Sequence, residues 1–254
     1  MPELIYPPVI ALAKGAFRWL DLRFTVEGSE HVPHTGGAVM AINHVGYLDF
    51  TFAGYAAQPA GRLIRFMAKQ EVFAHRLAGP LMRGMHHIEV DREAGTPSYR
   101  HAISALQAGE IVGVFPEATI SVSFELKSFK TGAARMAIAA GVPLLPTVVW
   151  GSQRIMTKGR PRDLRRRHVP VYVGVGAPVP TSPDDSAVAV TTVLKERMQA
   201  LLDRAQATYP DQPAGPEDRW WLPARLGGTA PTPEAAATME ANARALRRAR
   251  RAAN

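Results

Sequence analysis

The sequence predicts a single α/β domain built on one mixed central sheet flanked by helices. Three observations carry that expectation. Short β-rich runs alternate with helical segments from residue 38 to residue 207, the pattern of helices packed on a sheet. Some connections are too short to hold a crossover helix, so the sheet reads as mixed rather than strictly parallel. The 254 residues, 46% hydrophobic and 20% charged, supply enough apolar material for a sizeable core.

Residues 7–24, PPVIALAKGAFRWLDLRF, read as a short amphipathic helix, with Ile10, Ala13, Phe17 and Leu20 at helical spacing. Lys14, Arg18 and Asp21 occupy its other faces. Trp19 and the flanking cations suit either a membrane interface or a helix packed on its own domain. This gives an N-terminal unit over 1–24 and an α/β domain over 25–209. Within the domain, strands are expected at 38–43, 63–68, 86–90, 111–115, 144–150 and 170–176. Helices are expected at 49–57, 71–80, 97–108, 130–140 and 186–207.

Residues 154–168, RIMTKGRPRDLRRRH, carry seven Arg or Lys against one Asp. They read either as a solvated face or as a surface for an anionic partner. Residues 210–254 begin rich in Pro and Gly and read as a covering segment. It ends in a helix that starts near Pro233 and finishes in an arginine cluster, where cations suit the helix dipole. Trp220, Trp221 and Leu222 read as an apolar plug over the core, with an interfacial anchor as the other reading.

The chain has no cysteine, which excludes disulfides, thiolate zinc sites and a cysteine nucleophile and fits a reducing compartment. Its formal charge of +8 points to anionic partners: phosphate esters, nucleic acid or an anionic membrane face. The start, MPELIYPPVI, lacks a basic region followed by a long apolar one, so no secretory signal is expected. No apolar stretch approaches the roughly 18 to 20 residues that cross a bilayer. No P-loop, dinucleotide fingerprint, zincin or nucleophile-elbow pattern is present. The adjacent His86 and His87 would face opposite ways in a strand and read as structural or surface residues.

Three stretches carry candidate chemistry. In INHVGYLDF (42–50), His44 and Asp49 stand five positions apart. In a helix their side chains would diverge by about 140°. In a strand they would lie roughly 17 Å apart on opposite faces. They can meet only if the chain leaves a strand at Asn43, turns through Gly46 and starts a helix near Asp49, with glycine supplying a permissive backbone. Asp49 would then hold one imidazole nitrogen and leave the other as a general base. The alternative is a helix-capping Asp49 and a turn histidine. The second stretch, FPEATISVSFELKSFKTGAARMA (115–137), runs from a strand end into a helix and places Glu117, Thr119 and Lys130 near the rim where α/β proteins bind ligands. Lys130 with the amides around Thr131 and Gly132 makes either a phosphate cradle or an ordinary helix start with an exposed lysine. In the third stretch, Lys69 and Arg92 each follow a β-rich run and could meet an anion.

Taken together and in this order, the segments resemble the glycerolipid acyltransferase family that includes the bacterial 1-acylglycerol-3-phosphate acyltransferases. The family's N-H-x4-D is matched by Asn43, His44 and Asp49, its K-x-E by Lys69 and Glu71, and its strand ending in arginine by IEVDR with Arg92. F-P-E-G-T-R is matched in part by FPEATI (115–120), F-K-x-G by Phe129–Gly132, and V-P-x-x-P by VPLLP (142–146). The resemblance covers about residues 38–150. The wording of the 115–137 stretch resembles an actinobacterial branch. Two positions depart from the pattern: Ala118 stands for glycine, and Ile120 for an arginine thought to help hold the acceptor's phosphate.

The resemblance implies a glycerol-3-phosphate acyltransferase-like fold and acyl transfer from acyl-CoA or acyl-carrier protein to a hydroxyl of 1-acylglycerol 3-phosphate, giving phosphatidic acid. It implies His44 as base, Asp49 as its orienter, and Asn43, Lys69, Arg92, Glu117, Thr119 and Lys130 around the substrate. No metal and no cofactor beyond the acyl donor is expected. The missing arginine leaves glycerol 3-phosphate, a lysophospholipid or a glycolipid as alternative acceptors. A lipid substrate implies peripheral attachment at the cytoplasmic face of an anionic membrane. A nucleic-acid-binding protein is favoured only by charge, and no nucleic-acid partner is expected.

Overall fold

The computed structural model describes residues 3–91, 96–163 and 165–252. Helix α1 (Tyr6–Trp19) leads to strand β1 (Arg23–Glu27), β2 (Ala38–Ile42) and helix α2 (Asp49–Ala56). Strand β3 (Ile64–Lys69), the short helices α3 (Gln70–Phe73) and α4 (Ala78–Gly84), and β4 (Ile88–Val90) follow. Next come α5 (Thr96–Gln107), β5 (Ile111–Val114), α6 (Gly132–Ala140), β6 (Leu144–Trp150), β7 (Pro170–Val175) and α7 (Ala187–Ala207). The chain closes with α8 (Pro233–Ala252).

The seven strands form one sheet in the order β1-β7-β6-β2-β5-β3-β4. Every pairing is parallel except β6 with β7, so the sheet is mixed. Strands β2, β5, β6 and β7 are buried along their whole length, which explains their near-continuous apolar runs. Alternation along the strands splits the core in two. Val39, Ala41, Val112 and Val148 face Ala102 and Leu106 of α5, Ala133 and Ala137 of α6, and Leu194, Met198 and Leu202 of α7. Met40, Ile42, Ile64 and Val149 face Phe52, Ala53 and Ala56 of α2, with Phe17 of α1 against them. Helix α7 starts at Ser186, whose hydroxyl caps the amide of Ala189.

Two elements differ from the sequence reading. The N-terminal helix stops at Trp19, and Arg23 already pairs with Pro170 in the sheet, so the boundary at residue 24 falls inside a strand. Asp21 takes a positive φ of 49° and its carboxylate pairs with His168 2.5 Å away, which turns the chain out of the helix. The helix expected over 71–80 is broken in two. His75 Nδ1 accepts from the amides of Leu77 and Ala78, a local side-chain bond that competes with the helical ladder.

The covering segment packs on the core. Trp221 is buried, its ring 5.6 Å from that of Tyr209, which lies edge-on to Trp150. Arg154 of the basic segment stacks 4.4 Å over Trp221 and pairs with Asp211. Arg160 and Arg166 stack on Trp220, and Arg166 also pairs with Asp218. Three of the segment's seven cations are therefore spent holding the tail.

His87 lies inside, its ring edge-on to Tyr6 and Phe66, with Nδ1 accepting from the amide of Phe66. Burial, then the neighbouring Arg65 cation, pushes its pKa down from 6.5 to about 4. A depressed pKa means the unfolded chain takes the proton first. The neutral His87 thus contributes stability that is full above pH 6.5 and is lost as pH falls towards 4. The loss amounts to roughly 3 kcal/mol. Denaturant unfolding between pH 7 and 4 should show this slope, and His87→Asn, which keeps an acceptor for Phe66, should flatten it. An equal slope in both proteins would refute the assignment.

Candidate active site

Strands β2, β3, β5 and β6 run parallel, so the segments that follow them emerge at one edge of the sheet. His44 follows β2, Glu117 follows β5, Ser152 follows β6, and Lys69 ends β3. The turn 43–48 brings His44 and Asp49 together: His44 Nδ1 lies 2.9 Å from Asp49 Oδ2. That oxygen also accepts from the amides of Val45 (2.8 Å) and Gly46 (2.9 Å), while Oδ1 accepts from the Ser152 hydroxyl. Asp49 is fully buried, and among the described residues its charge is carried by these four donors. It is the first residue of α2 rather than its cap, which is Leu48.

With Nδ1 donating to the carboxylate, Nε2 of His44 keeps its lone pair. The ring stacks on Phe115, centroids 4.2 Å apart, and the side chain remains 19% exposed, enough for a hydroxyl to reach it. The backbone of His44 is held on both sides: its amide donates to Glu117 Oε1 (2.9 Å), and its carbonyl accepts from the amide of Ser121 (2.7 Å). The segment after β6 clamps the rest of the turn. Thr157 Oγ1 donates to the carbonyl of Val45, and the Met156 carbonyl accepts from the amide of Tyr47.

Gly46 suits its place for a reason other than backbone freedom. It does not occupy the left-handed region; a Cβ there would lie 2.7 Å from Ser152 Oγ and 3.1 Å from the carbonyl oxygen of Met156. Backbone conformation matters instead at Ala118, whose φ of 62° explains why glycine suits that position.

Two residues expected around the substrate point inward. Asn43 is fully buried, and its amide bridges β2 to β6: Nδ2 donates to the carbonyl of Val149 and Oδ1 accepts from its amide. Both polar ends are used, so Asn43 fixes the start of the turn. Glu117 is likewise buried, with Oε2 accepting from the amide of Lys127. Burial pushes its pKa up to about 7, against the pull of the His44 and Lys127 amides. Its carboxyl ties the two loops together instead of projecting to the rim. Thr119 bonds to Glu240 of α8. Lys69 and Lys130 are exposed, although the Lys130 amide is taken by the carbonyl of Pro116, which removes one donor from the expected phosphate cradle. Arg92 lies outside the described residues. Ile120 is buried, so the position of the missing arginine faces the interior. Among the described residues there is no cluster of three or more metal-ligating side chains.

Ser152, Thr157 and Lys127 were not singled out from the sequence. Ser152 had one signal: like His44 and Glu117, it stands just past the end of a buried strand.

A basic imidazole nitrogen at the carboxyl edge of a parallel set of strands, backed by a buried carboxylate, defines an enzyme equipped to take a proton from a bound hydroxyl. The chain belongs to the Acyltransferase family, whose model matches residues 23–150, and it is an acyltransferase. It is 30% identical over 180 residues to the 1-acyl-sn-glycerol-3-phosphate acyltransferase of Bacillus subtilis, covering 69% of this chain and 86% of that protein. It is 33% identical over 173 residues to the protein of the same name from Neisseria gonorrhoeae, covering 67% of this chain and 62% of that protein. The solved structure of the 1-acyl-sn-glycerophosphate (LPA) acyltransferase PlsC from Thermotoga maritima superposes with a TM-score of 0.66 at 25% identity, over 81% of each chain.

Proposed function

We propose that this acyltransferase moves a fatty acyl group from a thioester donor to the free hydroxyl of 1-acylglycerol 3-phosphate, forming phosphatidic acid. The observation that carries the reading is the His44–Asp49 pair, with Nε2 open at the sheet edge. The names of the Bacillus and Neisseria relatives support the acceptor. His44 Nε2 takes the hydroxyl proton as the oxygen attacks the thioester carbon. The new C–O bond forms, the C–S bond breaks, and the departing thiolate recovers the proton from the imidazolium. Asp49 stabilises the imidazolium between these steps. A thioester is already activated, so acyl-CoA or acyl-carrier protein serves as co-substrate and the reaction calls on no covalent enzyme intermediate.

The test is free-thiol release from palmitoyl-CoA with lysophosphatidate, glycerol 3-phosphate and a lysophospholipid, followed by mass spectrometry of the product. Phosphatidic acid made with lysophosphatidate in preference to the other two is the expected result. Release that does not depend on lysophosphatidate would overturn the acceptor.

No described helix is long and apolar enough to cross a membrane. Leu12 and Trp19 of α1, 76% and 63% exposed, lie on a helix that also carries Lys14 and Arg18. An exposed apolar face on a helix that carries cations on its other faces supports peripheral binding to an anionic bilayer, at its cytoplasmic face. Liposome flotation at low salt should recover the protein with anionic vesicles and lose it as salt rises. Equal flotation with neutral vesicles would remove the electrostatic component.

A further inference from the structure

Next to the loop bonded to His44, a carboxylate from α8 meets an ammonium and a hydroxyl. Glu117 and Ser121 are each bonded to the backbone of His44, so Thr119 sits midway along an arc pinned at both ends to the base. Two residues reach at most roughly 7 Å, which keeps Thr119 on a short loop tied to the backbone of the base. Lys127 is brought to the same place because its amide is held by the other oxygen of Glu117. There Lys127 Nζ donates to Thr119 Oγ1 and to both oxygens of Glu240, at 2.7 and 2.9 Å. Thr119 Oγ1 reaches Glu240 Oε1 at 3.2 Å, and Arg244 Nη2 reaches Oε2 at 3.2 Å. The arc from Glu117 to Ser121 contains no Lys or Arg of its own.

Glu240 comes from α8, well outside the 23–150 span of the family match. Its side chain is 9% exposed, and among the described residues it is the only residue of α8 hydrogen-bonded to the domain beneath. Burial raises the pKa of Glu240, but Lys127 and Arg244 outweigh it and hold the group below the carboxylate norm. An ammonium and a hydroxyl converging on a carboxylate offer the same donors that a phosphate monoester requires.

We propose that Lys127 and Thr119 seat the acceptor's phosphate, and that Glu240 of α8 is an internal competitor which the phosphate displaces. The proposal rests on the acceptor assigned above. In lysophosphatidate the phosphate is attached to the carbon next to the one bearing the free hydroxyl, so its site must lie close to the base. Once displaced, Glu240 keeps Arg244, one turn further along its own helix, as a partner. The helix is thus released from the Lys127–Glu240 tether as the acceptor binds, without stranding the Glu240 charge. The cost of displacing Glu240 enters the apparent affinity of the acceptor, because only the open fraction of the protein binds it.

Full-length wild type, Glu240→Gln, Lys127→Met and Lys127→Arg decide the matter. Glu240→Gln should lower KM for lysophosphatidate roughly fivefold, Lys127→Met should raise it at least about tenfold, and Lys127→Arg should restore most of it. Calorimetric titration with inorganic phosphate should rank the proteins in the same order. If KM and phosphate affinity are unchanged in the folded Glu240→Gln and Lys127→Met proteins, the contact is a structural tether only and the proposal is wrong. If wild type does not acylate lysophosphatidate, the proposed function fails. The phosphate titration still decides whether the site exists: tighter in Glu240→Gln and lost in Lys127→Met supports it, and no change overturns it.

Discussion

His44→Ala is expected to lower kcat by about 10²- to 10⁴-fold while the protein stays folded. Activity should fall because, among the described residues, no other basic group is held where the acceptor hydroxyl must lose its proton. Glu117 is turned inward onto two amides, and Lys127 is engaged by Glu240. The fold should survive because the backbone of His44 does not depend on its side chain. Its amide and carbonyl are bonded to Glu117 and Ser121, and Asp49 keeps the amides of Val45 and Gly46 and the hydroxyl of Ser152. The ring itself is only partly buried against Phe115, so its removal opens a shallow gap rather than a closed cavity. Circular dichroism and the thermal midpoint should therefore stay near wild type while thiol release collapses. A folded His44→Ala protein that kept more than about a tenth of the activity would remove His44 as the base.

What the sequence revealed follows the range of the contacts. The strand LLPTVVW was legible because both of its faces are buried and the apolar run is unbroken. Strand β1, RFTVE, was hidden: it is half exposed and continues the apolar spacing of the helix before it. The His44–Asp49 pair could be reached from five residues of spacing, since only one local conformation lets the side chains meet. Ser152 meets Asp49 across 103 residues, and Glu240 meets Lys127 across 113, separations at which no local pattern exists to read. Asn43 and Glu117 show a third kind of gap. Their positions in the motifs were evident, but whether each amide or carboxyl points to substrate or to a neighbouring strand depends on packing that spacing does not encode. Gly46 belongs with them, because the Ser152 side chain that crowds a Cβ there arrives from the segment after β6.

Asp49→Asn is expected to be nearly as damaging as loss of His44, on the order of 10³-fold in kcat, with a smaller change in KM. Its structural cost should be modest. The Oδ2 position receives three donors, from His44, Val45 and Gly46, so the asparagine oxygen must take that place. The new NH2 group then faces Ser152, whose hydroxyl can rotate from donor to acceptor. The turn is preserved and only the negative charge is lost, leaving the imidazolium that forms during transfer without its counter-charge. Ser152→Ala acts on the opposite oxygen: it leaves Oδ1 of a fully buried carboxylate without its donor, a cost of about 1–3 kcal/mol in stability. The two changes should not add. In Asp49→Asn the group facing Ser152 is a neutral amide, so removing the hydroxyl strands less charge, and the double variant should be more stable than the sum of the singles implies. Unfolding free energies and kcat for the four proteins of this cycle test both parts. Strict additivity would show that Ser152 does not act through the Asp49 carboxylate. Wild-type kcat in Asp49→Asn would show that the charge behind His44 plays no part in the transfer.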